Sequence, residues 1–380
     1  MNIVYANEHK NNKMSNMANN KNLSRREFMK LGGLTMAGFG FNVWDRGIGQ
    51  SVHRDESPEG DHRMARVAHL VPINVRAQPN LNSALVGTLK EDSFVPWLRE
   101  VIGYHPHQIC QRWVETTLGY VWSPFFQPVY NKPNQPVVAL KETSLGQGMW
   151  VEVTVPYVDM RLENPQPFAP STKHRIETGQ YPRLYYSQVV WVDQINVDSE
   201  GQTWYRINER YSYGDVFWGP AEAFRLIEED EVTPIALGVE NKRVDVNLAR
   251  QSLSCYENDR EVYYCRVSTG AFGEDTETPP GNNSFIFRKM ISMHMSGGTS
   301  GGGWDLPGVG YTSLFRQGGI AIHSTFWHNN FGERTSAGCV NVRPEDAKWI
   351  FRWSTPVVGY DPGDSTVTDF SGTNIRVLED

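Results

Sequence analysis

The pattern of hydrophobic and polar positions along this chain is that of many short β-strands. Between residues 66 and 128, short apolar runs such as Ile73–Arg76 and Gly119–Trp122 are separated by turn residues. Similar runs follow at 189–192 and 204–207, and residues 243–248 alternate with a period of two. Runs of this length and spacing predict a mainly β fold built from small barrels or sandwiches.

One segment beyond residue 60 has a helical pattern, at residues 344–353. Pro344 stands in its first turn and is followed by the acidic pair Glu345 and Asp346, which suits a helix N-terminus. The acidic run at 228–231 is interpreted as a solvated junction. The sequence therefore predicts a mainly β protein with one short helix.

Four cysteines in 380 residues are too few for a disulfide framework. Cys255 and Cys265 lie on the two arms of a predicted hairpin that turns at residues 258–259. That turn places Cys255 opposite Val262 and Cys265 opposite Ser252. A bridge requires opposed cysteines, so the register predicts free thiols.

Length and composition indicate a folded protein of two or three domains, with 39% hydrophobic and 21% charged residues. The net charge of −7 gives no electrostatic basis for binding nucleic acid. The predicted boundaries are an N-terminal signal and disordered segment at 1–45, a linker at 46–63, a small β domain at 64–130, a second one at 148–228, and a C-terminal domain at 232–380 with its core at 232–355.

Residues 24–30, Ser-Arg-Arg-Glu-Phe-Met-Lys, precede a weakly apolar run at 31–43. This order resembles a twin-arginine export signal. It implies an extracytoplasmic protein of the cell wall or envelope. Membrane attachment is expected only through the signal, if the signal stays uncleaved.

The candidate chemistry lies between His323 and Cys339, which are 16 residues apart. A thiol attacks a carbonyl as the thiolate, and a nearby histidine can supply the base. Ala337 and Gly338 leave room for backbone N–H groups to face an oxyanion, and the helix that follows would lower the pKa of the thiol. A small buried cysteine fits these residues equally well.

Other readings of the same residues are weaker. His294 and His328 are further candidate bases, and His328 fits better as a residue that shapes a loop or contacts substrate. No closely spaced pair of Cys or His ligands indicates a metal, and no cofactor is predicted. Ser324 and Ser336 lack the glycine-flanked elbow of a serine nucleophile.

Two resemblances to known families add to this picture. The order Asn-Val-Arg, Gly-Thr-Leu, Trp-Val-x-Thr and Gly-Tyr-Val-Trp within 64–130 resembles a bacterial SH3-type domain. Residues 148–228 resemble a looser copy, and a β-rich insertion without separate identity is the alternative.

The C-terminal region resembles the L,D-transpeptidase (YkuD-type) catalytic domain, whose fold is a β-sandwich or barrel. The family has a histidine, a loop, and then Ser/Thr-His-Gly-Cys-x-Asn or -Arg. Here these places are filled by His323, Ser336, Gly338, Cys339 and Asn341. Ala337 replaces the family's histidine before Gly-Cys, which implies a slower reaction or altered specificity.

The resemblance implies a peptidoglycan L,D-transpeptidase that acts on stem peptides. Cys339 would be the nucleophile, His323 the base, and the carbonyl of Ser324 would orient the imidazole. The residues implied for the oxyanion site and pocket are Ala337, Gly338, Asn341, Ser336, Trp327 and His328. The SH3-type domains would hold wall polymer.

Two alternatives remain open from the sequence. One is a catalytically weakened wall-binding protein, because of Ala337. The other is a cysteine carboxypeptidase acting on wall peptides. The acceptor, the third stem residue and the oligomeric state are not indicated by the residues.

Overall fold

The computed structural model describes residues 60–271, 276–297 and 304–380. The twin-arginine segment, all of 1–45 and most of the predicted linker lie outside these residues. The described chain is mainly β, as the sequence predicts, and forms three bodies in chain order. No helix within it is long and apolar enough to cross a membrane.

The first module, residues 60–131, is a small two-sheet β structure. Its sheets have the strand orders β4-β1-β8 and β3-β2-β7-β6-β5. Their strands are β1 (Gly60–Val67), β2 (Ile73–Arg76), β3 (Leu85–Leu89), β4 (Phe94–Pro96), β5 (Arg99–Ile102), β6 (Arg112–Thr116), β7 (Gly119–Trp122) and β8 (Phe126–Asn131). Val75, Val114 and Phe126 are fully buried between them. The first strand starts at Gly60, inside the segment predicted as a linker.

The second module, residues 141–226, is built around a larger antiparallel sheet, with β11 and β13 as a separate pair. Its strands are β9 (Lys141–Thr143), β10 (Gly146–Val153), β11 (Tyr157–Asp159), β12 (Arg161–Leu162), β13 (Arg183–Tyr185), β14 (Val189–Val197), β15 (Thr203–Asn208), β16 (Val216–Pro220) and β17 (Phe224–Leu226). A 3₁₀ turn at Ala221–Ala223 precedes its last strand, just as one at Ser123–Phe125 precedes the last strand of the first module.

The C-terminal domain, residues 229–378, contains two five-stranded sheets, ordered β20-β19-β18-β27-β21 and β25-β24-β23-β22-β26. Their strands are β18 (Lys242–Asn247), β19 (Ser252–Glu257), β20 (Arg260–Arg266), β21 (Gly281–Phe285), β22 (Arg288–Gly297), β23 (Trp304–Arg316), β24 (Ile320–Ser324), β25 (Val340–Val342), β26 (Asp364–Thr366) and β27 (Asn374–Leu378). Because β27 pairs in parallel with β18 inside the first sheet, this domain extends to Leu378, beyond the predicted core.

The second module and the C-terminal domain share a hydrophobic core. Strand β10 is buried on both faces: Met149 and Val151 face the module's own core, and Trp150 faces the core of the C-terminal domain. The Trp150 indole N–H donates to the carbonyl of Tyr360 at 3.0 Å. The two bodies are therefore packed together along a continuous apolar interior.

Three α-helices occur in the described chain, where the sequence predicts one. The predicted helix is present as α3 (Pro344–Trp353), and it packs on β23 and β24. The additional helices are α1 (Pro170–Glu177), in the long early loop of the second module, and α2 (Glu229–Val232).

Helix α2 refines the interpretation of the acidic run as a solvated junction, because Glu228, Glu229 and Asp230 are exposed and Glu231 is half-buried. Glu228 and Glu231 form a reciprocal capping box that starts the helix. Glu231 also accepts hydrogen bonds from Arg225 and Lys348, which lower its pKa to about 2 against the effect of burial. The run is thus a structured contact between the second module and helix α3.

The predicted cysteine hairpin is shifted by one residue. Cys255 pairs with Tyr263 and Cys265 with Leu253, because a bulge lies between Cys255 and Tyr256. Neither cysteine forms a disulfide. Both are buried, and burial raises the pKa of each thiol.

Candidate active site

Parallel pairing of β24 and β25 brings the histidine and cysteine segments together. His323 on β24 lies opposite Asn341 on β25, and Ile322 lies opposite Val340. Cys339 is the residue immediately before β25. The connection between the strands is the loop 325–339, and both His323 and Cys339 line a cavity of about 560 Å³.

His323 is buried, with 1% of its surface exposed. Its Nδ1 lies 2.8 Å from the carbonyl oxygen of Ser324. A carbonyl only accepts, so Nδ1 carries the proton and Nε2 keeps its lone pair. Burial lowers the pKa of His323 to about 4, partly offset by that hydrogen bond. The ring is therefore a neutral base at neutral pH, and Trp327 packs 5.7 Å from it.

Cys339 is half-buried between two small apolar clusters and forms no disulfide. Its Sγ lies 3.5 Å from the carbonyl oxygen of Gly319, within reach of a weak S–H···O contact. Strand β25 separates it from helix α3, which begins at Pro344. Five extended residues at about 3.3 Å each put the helix start roughly 16 Å away along the chain. At that distance we expect little effect of the helix on the thiol, because helix dipoles act within about one turn.

The turn before the cysteine depends on a glycine and a serine. Gly338 has φ +115°, a conformation that favours glycine. The Ser336 hydroxyl donates to the carbonyl of Cys339 and accepts from the Gly338 N–H at 3.2 Å. Ser336 thus shapes the turn. The Gly338 N–H is therefore engaged within the turn, and the backbone amides of Ala337 and Cys339 flank it.

A neighbouring segment anchors this turn from outside. The Thr278 hydroxyl donates to the carbonyl of Gly338 at 2.9 Å and accepts from the Gly270 N–H at 2.8 Å. Ser268 and Asn341 exchange backbone hydrogen bonds at 3.0 and 2.9 Å. The chemistry of the sequence does not indicate Thr278 as a site residue, because its hydroxyl reaches the turn through the Gly338 carbonyl, 60 residues away.

His328 and Asn341 form a second neutral pair in the site. Burial lowers the pKa of His328 to about 3. Its Nδ1 accepts from the Asn330 N–H at 3.1 Å, so Nε2 carries the proton. That Nε2 lies 2.9 Å from the Asn341 amide, which must present its oxygen there. The Asn341 NH₂ group then lies on the opposite side of the amide, where it is buried and has no hydrogen-bond partner among the described residues.

All three bodies contribute to the walls of the cavity. The C-terminal domain supplies the candidate residues His323, Trp327, His328, Ser336, Ala337, Cys339 and Asn341. The first module supplies Arg66, Ala68, His69, Leu70 and Glu91, and the second supplies residues that include Met160, Arg175, Tyr185 and Phe217. Ala337 is half-buried there and contributes only a methyl group. The module residues have no sequence signal, because each lies far from Cys339 in the chain.

His294, a candidate base from the sequence, has a different role. Its Nδ1 lies 2.7 Å from Glu209 of the second module, and its Nε2 bonds to Asp305 of β23. The two carboxylates raise its pKa to about 9 although burial opposes this. A protonated ring with both nitrogens donating cannot act as a base, so His294 serves as a buried cation at the module interface. Among the described residues, no group of three or more His, Cys, Asp or Glu side chains is arranged so that it could hold a metal ion.

Comparison with known proteins places this geometry in context. Residues 241–373 match the family model for the L,D-transpeptidase catalytic domain, YkuD. A search of curated proteins found no match.

Among solved structures, the chain is similar to an L,D-transpeptidase from Enterococcus faecium, with 21% identity, a TM-score of 0.29, and coverage of 37% of this chain and 50% of that one. It is also similar to an L,D-transpeptidase from Mycobacterium smegmatis, with 14% identity, a TM-score of 0.30, and coverage of 65% and 98%. A third is L,D-transpeptidase 3 from Mycobacterium tuberculosis, with 16% identity, a TM-score of 0.29, and coverage of 50% and 92%.

The match thus spans about half the length of the Enterococcus faecium protein. At these scores the structural likeness supports no conclusion about activity. The segment that carries His323 and Cys339 lies within residues 241–373, which match the YkuD L,D-transpeptidase catalytic domain.

Proposed function

We propose that this protein is a peptidoglycan L,D-transpeptidase with Cys339 as nucleophile and His323 as base. The observation that carries the proposal is the parallel β24–β25 pair, which places a neutral, oriented imidazole and a thiol on one cavity. The family match supports the same conclusion, since the L,D-transpeptidase family acts on peptidoglycan stem peptides.

In the first half-reaction, Cys339 Sγ attacks the carbonyl carbon of the third residue of a stem tetrapeptide. The Nε2 of His323 takes the thiol proton as the C–S bond forms, and the carbonyl of Ser324 holds the ring through Nδ1. The imidazolium then protonates the leaving nitrogen. Terminal D-alanine departs and a thioester remains on Cys339.

In the second half-reaction, an amine of another stem attacks the thioester carbonyl. His323 accepts the amine proton and returns it to the departing sulfur, which restores the neutral thiol and imidazole. The backbone amides of Ala337 and Cys339 would stabilise the oxyanion in both steps. The NH₂ of Asn341 would donate to the bound peptide, and Trp327 and His328 would support the pocket.

The remaining parts of the chain fit this function. The L,D-transpeptidase family is generally extracytoplasmic, and the signal-like residues 24–30 would export the protein by the twin-arginine route. Residues 64–130 and 148–228 would be SH3-like domains that precede a catalytic domain at 232–380. These domains are expected to bind wall polymer. Because they also line the cavity, they would help to shape the site as well.

Ala337 favours one alternative, a wall-binding protein with weakened catalysis. The family's histidine at this place is missing, and Ala337 lines the cavity with only a methyl group. A cysteine carboxypeptidase is the other alternative, in which water takes the place of the acceptor amine.

The test is incubation of the purified protein with disaccharide-tetrapeptide, followed by mass spectrometry of the products. The proposal predicts cross-linked dimers and released D-alanine, and neither product with Cys339→Ala. Tripeptide without dimers would establish the carboxypeptidase. Binding to sacculi with no product, and product only from Ala337→His, would establish the weakened protein.

A further inference from the structure

The loop that joins the base to the nucleophile is held by the first module. Residues 325–333 of this loop accept hydrogen bonds from β1, from the β5–β6 connection and from β6 of the first module. The loop in turn donates hydrogen bonds to the 3₁₀ turn of that module. The Arg66 guanidinium donates from Nη2 to the carbonyl of Phe326 at 2.9 Å. The Cys110 N–H donates to the side chain of Glu333.

Asn329 is held at three points. Its N–H donates to the carbonyl of Pro124 at 3.3 Å, and its side-chain NH₂ donates to the Ser123 hydroxyl at 2.9 Å. Its carbonyl accepts from Arg112 Nη2 at 3.0 Å. These contacts join parts of the chain that are more than 200 residues apart.

Arg66 suits this role because the three nitrogens of its planar guanidinium group donate to three different partners at once. It donates to Gln127 from Nε at 2.9 Å and to Asp92 from Nη1 at 2.6 Å, besides its bond to Phe326. Its side chain is 4% exposed and lies 4.1 Å from the centre of the Tyr185 ring. Lysine has one nitrogen and cannot reproduce this arrangement.

The other side of the same loop contacts the candidate catalytic groups. Phe326 stacks on Tyr185 at 5.7 Å, the next residue, Trp327, packs on His323, and His328 bonds to Asn341. Trp327, whose ring packs on His323, directly follows Phe326 in the chain. A displacement of the Phe326 carbonyl would therefore also displace the Trp327 ring.

We propose that Arg66 of the first module is a positioning residue for the active-site loop. It holds the Phe326 carbonyl and thereby fixes Trp327 and His328 against His323 and Asn341. The first module is then a structural part of the catalytic site. The effect on catalysis rests on the proposed function, whereas the effect on loop order does not.

The test compares Arg66→Met and Arg66→Lys with Arg225→Met in the full chain. Arg225 serves as the control, because it is likewise an arginine held by carboxylate side chains, Glu152 and Glu231, and it contacts neither the loop nor the cavity in the described residues. Two quantities are measured: hydrogen exchange of the amides in 325–333, and the rate at which a carbapenem acylates Cys339.

We expect Arg66→Met to speed loop exchange and to slow acylation by about 10- to 100-fold, since small misplacements have effects of this size. Arg66→Lys should be intermediate, and Arg225→Met should resemble wild type in both. Equal exchange and equal acylation in Arg66→Met and Arg225→Met would overturn the proposal.

A wild-type protein that is folded but never acylated would contradict the proposed function, while loop exchange would still decide the role of Arg66. If Arg66→Met does not fold, Ser123→Ala removes an acceptor of Asn329 and leaves the loop sequence intact. It should speed loop exchange to a smaller extent, and unchanged exchange would then count against the proposal.

Discussion

Two regions of this molecule bury histidine side chains to opposite effect. At the candidate active site, His323 and His328 have pKa values lowered to about 4 and 3. At the module interface, His294 has its pKa raised to about 9. Burial disfavours the charged ring in all three, but only His294 meets carboxylates, from Glu209 and Asp305.

The comparison shows that the partner, and not burial itself, decides the charge of a buried histidine. Neutral acceptors and donors surround the rings at the candidate active site, and the Nε2 of His323 keeps a lone pair that can take a proton. The interface ring is already protonated and holds two bodies together. The same residue type is thus neutral in one region, as the proposed base requires, and a fixed cation in the other.

The largest expected effect is at the neutral base. His323→Gln should lower the rate of Cys339 acylation by about 10²- to 10⁴-fold, because the thiol loses its proton acceptor. Stopped-flow measurement with a carbapenem gives this rate, with the exposed His62→Gln as control. A loss smaller than threefold in a folded variant would remove His323 from the reaction.

The next effect is at the interface cation. His294→Gln should destabilise the protein by roughly 3 kcal/mol at pH 6, since a pKa raised from 6.5 to about 9 corresponds to that free energy and the groups are buried.

The sign of its pH dependence follows from the raised pKa. The stabilisation is fully present below pH 6.5, decreases as the pH rises, and is lost above about 9. Urea unfolding of wild type and His294→Gln at pH 6 and 10 measures it. A difference between the two proteins that does not shrink at pH 10 would contradict a charged His294.

A smaller effect is expected in the dependence of the acylation rate on pH. This dependence tests directly whether the pKa of His323 is lowered, in contrast to the raised pKa of His294. With the pKa of His323 near 4, the rate should stay flat through pH 6.5 and fall only as the pH approaches 4. If the base were a histidine with an ordinary pKa near 6.5, the acylation rate would already be about tenfold lower at pH 5.5. A midpoint near 6.5 would show that the base is not desolvated.

The smallest effect is expected at Ser324. The backbone carbonyl, and not the side chain, accepts from His323 Nδ1, so Ser324→Ala should change the acylation rate by less than about twofold. Rates of the two proteins measured side by side check this. A tenfold loss would assign a role to the hydroxyl.

Sequence reasoning reaches the parts of the site that are local in the chain. Helix α3 and strands such as β2 and β7 have the predicted bounds, because period and turn residues mark them. The loop between His323 and Cys339 folds back and brings both residues to one cavity, as its length allows. No turn residue or change of period in the sequence indicates the bulge beside Cys255, so the predicted hairpin register was wrong by one residue.

The long-range parts could not be predicted from one sequence. Arg66 and Phe326 are 260 residues apart, and Glu209 meets His294 across 85. In the sequence, these charged residues are indistinguishable from solvated surface positions. Their partners become known only when the three bodies are packed, which is also why the wall that the modules contribute to the cavity was missed.

The most direct measurement of the central claim is the intact mass of the protein after exposure to a carbapenem. We expect wild type to gain one carbapenem mass on the peptide that contains Cys339, and Cys339→Ala to gain none. A folded wild-type protein whose mass is unchanged, or an adduct that persists in Cys339→Ala, would contradict a thiol acyl-transfer site at this position.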